Sequence, residues 1–121
     1  MTEISVGWFE IPVTDMDRAI VFYQKIFDCK LQKIDLGEFQ LSRFPGDGGG
    51  SLVYHKDFYQ PSDLAGPLIY FSSDDVSIGL AKVEAAGGTV QIPKKMISPE
   101  FGYMGVFLDS EGNRIALHSK E

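Results

Sequence analysis

The chain has 121 residues, 44% of them hydrophobic and 23% charged, which are the proportions of one ordinary globular unit and too apolar for a disordered segment. Its formal charge of −6, with no Lys/Arg cluster and no basic helix, lacks the footprint that neutralising phosphates requires and excludes nucleic acid as a partner. No apolar run reaches membrane-spanning length, and Met1-Thr2-Glu3-Ile4 shows neither a basic start nor an apolar stretch, so no membrane partner is expected and the expected location is cytoplasmic.

In chain order, residues 4–13 carry Ile, Val, Trp and Phe and end at Pro12-Val13-Thr14-Asp15, a strand running into a helix cap. From Asp15 to Asp28, Ala19, Phe22, Tyr23, Ile26 and Phe27 recur at helical spacing, with Asp15 and Asp17 in the first turn where the helix dipole favours negative charge. Cys29 just beyond it has no partner for an internal disulfide and reads as a small packing residue. Segments 30–36, 39–45 and 51–56 follow as three strands, separated by Gly37-Glu38 and by the Pro45–Gly50 turn. Residues 58–65, with Pro and no clear period, read as a linker. A strand at 67–73, a helix from Asp75 to Ala86 with Val76, Leu80 and Val83 on one face, and strands at 89–92, 103–109 and 114–119 complete the chain. Residues 93–102 read as the longest irregular piece, a loop of the kind that edges a site.

The two halves are copies. Val6–Asp17 can be laid over Gly66–Ser77, and Ser51–Lys56 over Arg114–Ser119, which superposes His55 on His118, the only two histidines. A unit of about 55–60 residues that cannot close its own core should pair with its copy around a shared cleft. The expected fold is therefore α+β: one domain over residues 1–121, built of βαβββ modules at 4–57 and 66–120, joined by the linker 58–65, with curved mixed sheets around a cleft. A right-handed crossover makes the first and last strands of each module neighbours.

The run Ile11-Pro12-Val13-Thr14-Asp15-Met16-Asp17-Arg18-Ala19 with Phe22-Tyr23, then Glu84-Ala85-Ala86-Gly87-Gly88, then Phe107-Leu108-Asp109-Ser110-Glu111-Gly112-Asn113, resembles the vicinal oxygen chelate superfamily of glyoxalases, bleomycin resistance proteins and extradiol dioxygenases. That resemblance covers essentially the whole chain and implies the paired-module fold, while the family's chemistry ranges from isomerisation to ligand sequestration. Members that use metal hold a divalent ion through one His or Glu from the first and last strand of each module. Matching the motifs places those positions at Trp8, Val53, Leu68 and Ala116, whose side chains donate no lone pair, so the expected cofactor is none.

Two residues on along each strand, about 6.6 Å further on the same face, stand Glu10, His55, Tyr70 and His118. Three readings stand beside each other: ordinary hydrogen-bonded polar residues; an acid–base set with Glu10 as base, a histidine as acid and Tyr70 orienting a carbonyl, as in a lyase or isomerase; and a displaced metal on Glu10, His55 and His118. Arg114 is a candidate clamp for a ligand carboxylate or phosphate, or else a surface ion-pair partner of Glu111. Trp8 either offers an aromatic plate to a small organic molecule or fills the cavity itself, and Phe101 and Tyr103 are candidates to close over a ligand or else to form a dimer contact or core edge. The expected assembly is a homodimer, and the expected role is glyoxalase- or bleomycin-resistance-like small-molecule binding without the family metal.

Overall fold

A computed structural model describes residues 2–121; Met1, the first residue of the start expected to be neither basic nor apolar, lies outside them. The elements run β1 (Glu10–Pro12), α1 (Met16–Phe27), β2 (Ile34–Asp35), β3 (Gln40–Arg43), β4 (Ser51–Tyr54), β5 (Ile69–Ser72), α2 (Val76–Ala86), β6 (Thr89–Ser98), β7 (Gly102–Leu108) and β8 (Arg114–Ser119). They form two four-stranded mixed sheets, ordered β1-β4-β3-β2 and β5-β8-β7-β6, so the same βαβββ topology occurs twice. In each sheet the first and last strands of the module are parallel neighbours, as expected of a crossover connection within one sheet.

Local chemistry explains the helices. Asp15 caps α1 by accepting from Arg18 N–H at 3.0 Å, and Asp75 caps α2 by accepting from Ser77 N–H at 2.9 Å. Asp28 and Gly87 end them in the left-handed conformation, at φ 49° and 112°. The inner faces, Met16, Ala19, Phe22, Tyr23 and Ile26 of α1 and Val76, Leu80 and Val83 of α2, enter a single core with Ile11, Leu52, Phe107, Ile115 and Leu117 of the two sheets. Phe9, Phe44, Phe71 and Phe27 join Tyr23 in a run of ring contacts, with Phe9 and Phe71 meeting at 5.7 Å across the facing edges of the sheets. Burial on this scale is the main stabilising term, about 25 cal/mol per Å² of apolar surface.

The modules are also tied by a polar staple. Glu111, in the turn before β8, accepts from Thr14 N–H at 2.8 Å and Asp15 N–H at 2.8 Å through one oxygen, and from Arg18 Nε–H at 2.7 Å through the other. Burial pushes this carboxyl up; Arg18 and the two amides outweigh it and hold its pKa down to about 2.

Three expectations are corrected. The first strand shrinks from 4–13 to Glu10–Pro12, because β4 offers only Ser51, Leu52 and Val53 as partners and residues 4–8 stay exposed. The irregular piece at 93–102 is instead strand through Ser98: β6 is an edge strand, which tolerates Pro93 and absorbs the misfit in three register shifts against β7. The histidines are not equivalent. Glu10 pairs with Ser51 but its counterpart Tyr70 pairs with Ala116, so Ser51 occupies the place of Ala116 and Val53 that of His118, two residues off the superposition drawn from sequence.

Candidate functional site

A pocket of about 530 Å³ opens where the two sheets meet, at the starts of β1, β5 and β8. Trp8, Glu10 and Arg114, three of the residues singled out in the sequence, line it together with Ile69, Ile115 and the linker residues Gln60 and Ser62. Trp8 remains 44% exposed, with the Arg43 guanidinium 5.8 Å from its ring centroid. Glu10 faces the same side and receives a hydrogen bond from the Tyr59 hydroxyl at 2.5 Å. That bond, helped by burial, raises the Tyr59 pKa.

The linker forms one wall because the turn before β8 pins it. Asn113 accepts from Ser62 N–H at 3.1 Å, donates to Pro12 O at 2.7 Å and to Asp109 Oδ2 at 3.1 Å, and Arg114 N–H donates to Ser62 O at 3.4 Å. Asp109 is itself held by the Tyr23 hydroxyl at 2.5 Å; burial pushes the pKa of both groups up. Tyr59, Gln60, Ser62 and Asn113 were missed as site residues. The adjacent aromatic pair Phe58-Tyr59 in the linker was the available signal, since a linker with nothing to cover has no use for two rings.

The remaining candidates lie elsewhere. His55 is buried, sandwiched between Phe39 and Phe58 at ring-centroid distances of 4.5 Å. Its Nδ1 accepts from Asp57 N–H at 3.1 Å, while Nε2 makes no hydrogen bond and stands 3.6 Å from Glu38 Oε2. Glu10 lies opposite Ser51, four residues before His55, which puts about 13 Å of backbone rise between the two positions. His118 is four residues beyond Arg114 at the other end of β8, so it too is about 13 Å along from the pocket. Its Nε2–H donates to Phe101 O at 2.5 Å. Tyr70, diagonal to His118 across the β5–β8 pair, lines a separate shallow depression with Ile92, Lys95, Met96, Ile97 and Met104. Phe101 is exposed in the β6–β7 turn, and Tyr103 faces the helices, packed on the core with Lys94 Nζ 4.7 Å from its ring centroid.

A model of the glyoxalase/bleomycin resistance protein/dioxygenase superfamily matches residues 5–117. A glyoxylase-like domain-containing protein of Didymella fabae is 27% identical, over 93% of this chain and 91% of its own length. Among solved structures, a glyoxylase/bleomycin resistance protein/dioxygenase domain from Frankia sp. EAN1pec superposes with a TM-score of 0.73 at 18% identity, covering 99% of this chain and all of that one. Maize glyoxalase I superposes with a TM-score of 0.67 at 19% identity over 91% of this chain and 42% of its own length. The structural likenesses concern the fold.

With the register corrected, the four positions where the resemblance places a divalent ion hold Trp8, Ser51, Leu68 and Ala116. One hydroxyl among four such side chains does not fit a divalent ion. Among the described residues there is no group of three or more His, Cys, Asp or Glu able to hold one.

Proposed function

The chain belongs to the glyoxalase/bleomycin resistance protein/dioxygenase superfamily, and from that premise we propose that it is a binding protein for a small organic molecule, held in the pocket between its modules without the family's metal. One observation carries this reading: Trp8 and Glu10 of the first module and Arg114 of the second, more than a hundred positions further on, line the same largely apolar pocket of about 530 Å³, a size and lining suited to a small ligand. Acid–base chemistry would need the Glu10 carboxylate within hydrogen-bond reach of an imidazole, about 3 Å, or one bridging water away; His55 stands four residues beyond Ser51, the residue opposite Glu10, and His118 four residues beyond Arg114 in the other sheet.

Native mass spectrometry of freshly purified protein, with elemental analysis of the same sample, tests the reading. A retained organic molecule that is lost from a Trp8→Ala variant is the expected result. Stoichiometric zinc, iron or manganese would overturn the metal-free reading. A flat aromatic compound should also quench the fluorescence of Trp8, the chain's single tryptophan; failure of a broad panel to do so would remove the pocket as a site.

The homodimer expected from sequence belongs to the same proposal. Tyr70, Ile92, Met96 and Ile97 are each between 38% and 49% exposed around one depression of the second sheet, more apolar surface than scattered singly on a monomer. Sedimentation should give twice the 13.4 kDa chain mass, and a monomer at micromolar concentration would refute it.

A further inference from the structure

We infer that the ligand is a planar aromatic monocarboxylate, its ring on Trp8 and its carboxylate on Arg114; this rests on the small-molecule reading of the pocket and narrows it to one chemical class. The two charges in the lining are not alike. Glu10 already receives the Tyr59 hydroxyl. Arg114, half-buried and sharing the pocket lining with Ile69 and Ile115, is in no ion pair among the described residues, whose salt bridges join Arg18 to Glu111, Lys33 to Asp17, His55 to Glu38 and Lys94 to Asp75. An unpaired guanidinium beside apolar walls presents a planar fork of donors, and a carboxylate is the group that matches it with two parallel bonds.

Trp8 adds the same sign of preference. Arg43 stands over the indole, so a ring stacking there meets a plate already polarised by one cation, with a second cation at Arg114. In a chain of net charge −6 this is a local surplus of positive charge at an apolar opening. Glu10 in the same lining sets the upper limit on ligand charge. A phosphate monoester, nearly a dianion at neutral pH, would face that carboxylate with only one lining guanidinium to offset it, whereas a monoanion is matched one to one. An ammonium-bearing ligand would meet the one lining guanidinium and a carboxylate already engaged by Tyr59.

The test uses four probes on one ring system: 2-naphthoate, 2-naphthol, 2-naphthylmethylamine and 2-naphthyl phosphate. Each is titrated into the full chain while the indole N–H resonance of the single tryptophan, Trp8, is followed by NMR. The naphthoate should bind about tenfold more tightly than the naphthol, since a charge-assisted pair of hydrogen bonds distinguishes them, with the phosphate weaker than the naphthoate and the amine weakest. Arg114→Gln should bring the naphthoate down to the affinity of the naphthol without moving the naphthol, and Arg114→Lys should recover part of the difference; the dispersion of the remaining resonances reports that both variants are folded. Equal binding of acid and alcohol, tighter binding of amine or phosphate, or an acid preference that survives Arg114→Gln overturns the assignment of class while the pocket stands. If no probe shifts the Trp8 resonance, the pocket itself is not the site and both proposals fall.

Discussion

Glu111 carries more of the assembly than its place in a surface turn suggests. Its side chain is fully shielded from solvent, and its partners, Thr14, Asp15 and Arg18, belong to the other module. A carboxyl whose pKa is lower in the folded chain than in the unfolded one stabilises the fold above the unfolded value and loses that contribution as pH falls toward the folded value. For Glu111 the window runs from 4.5 down to about 2. Asp75, held down to about 2 by the Ser77 hydroxyl and Lys94, adds to the same slope from 3.8. Asp109 works the other way: burial raises its pKa, so protonation favours the folded chain and softens the fall. Denaturant midpoints should therefore drop between about pH 5 and pH 2. Glu111→Gln, which keeps an acceptor and removes the charge, should lower stability at pH 7 by about 1–2 kcal/mol and flatten that slope. An unchanged acid slope in this variant would show that other carboxylates set it. At this scale the sequence was legible wherever the interaction is local: the caps Asp15 and Asp75 lie next to the helices they start. Glu111, whose partners lie more than ninety positions away, was read only as a turn residue and a possible surface partner of Arg114.

Elements were legible in type and less so in extent. Helical periodicity identified the buried faces of α1 and α2 because one helix shows its whole apolar stripe in a short window. Strand length depends on what the neighbouring strand offers. Hence β1 is short, and β6 runs through a proline that marked a loop in the sequence but sits on an edge. Parity explains Tyr103. It shares a face with Gly105 and Phe107, opposite Ser119, Leu117 and Ile115, and so points to the helices, which two-residue counting from Phe107 would have given. The helices press closely on that face. A methyl group on Gly88 would lie 2.3 Å from the carbonyl oxygen of Leu108, and one on Gly105 would lie 2.4 Å from the end of the Leu80 side chain. Backbone cannot yield as a side-chain tip can, so Gly88→Ala should cost about 2–3 kcal/mol and Gly105→Ala less. Thermal midpoints of the two variants give the order, and a larger loss for Gly105→Ala would mean that the α2–β7 packing is the stiffer contact.

For the molecule as a whole, the repeat was legible and its registration was not. The first strands and helices of the two modules match without a gap, but the last strands pair two residues apart, and that offset separates two histidines that sequence superposition had made twins. No local signal fixes such an offset, because a shift of two keeps every side chain on its face. The same cause hid the part played by the linker. With His55 beyond the end of β4, Phe58 folds back onto its ring, Tyr59 reaches Glu10 and Ser62 reaches Asn113, so the connection between modules becomes a wall of the pocket they share. Asn113 joins the three segments that meet there, bonding Ser62 of the linker, Pro12 of β1 and Asp109 of its own turn, from a site that is 5% exposed. Removing its amide leaves the half-buried Pro12 carbonyl without that donor and the half-buried Ser62 N–H without its acceptor, a loss on the order of 1–3 kcal/mol. Asn113→Ala should therefore lower the denaturant midpoint and, because one wall is released, speed hydrogen exchange at Ser62 while the amides of α1 and α2 keep their relative order of protection. If exchange at Ser62 rises only in step with global unfolding, the linker is held by the rest of its contacts and the pocket wall does not depend on this amide.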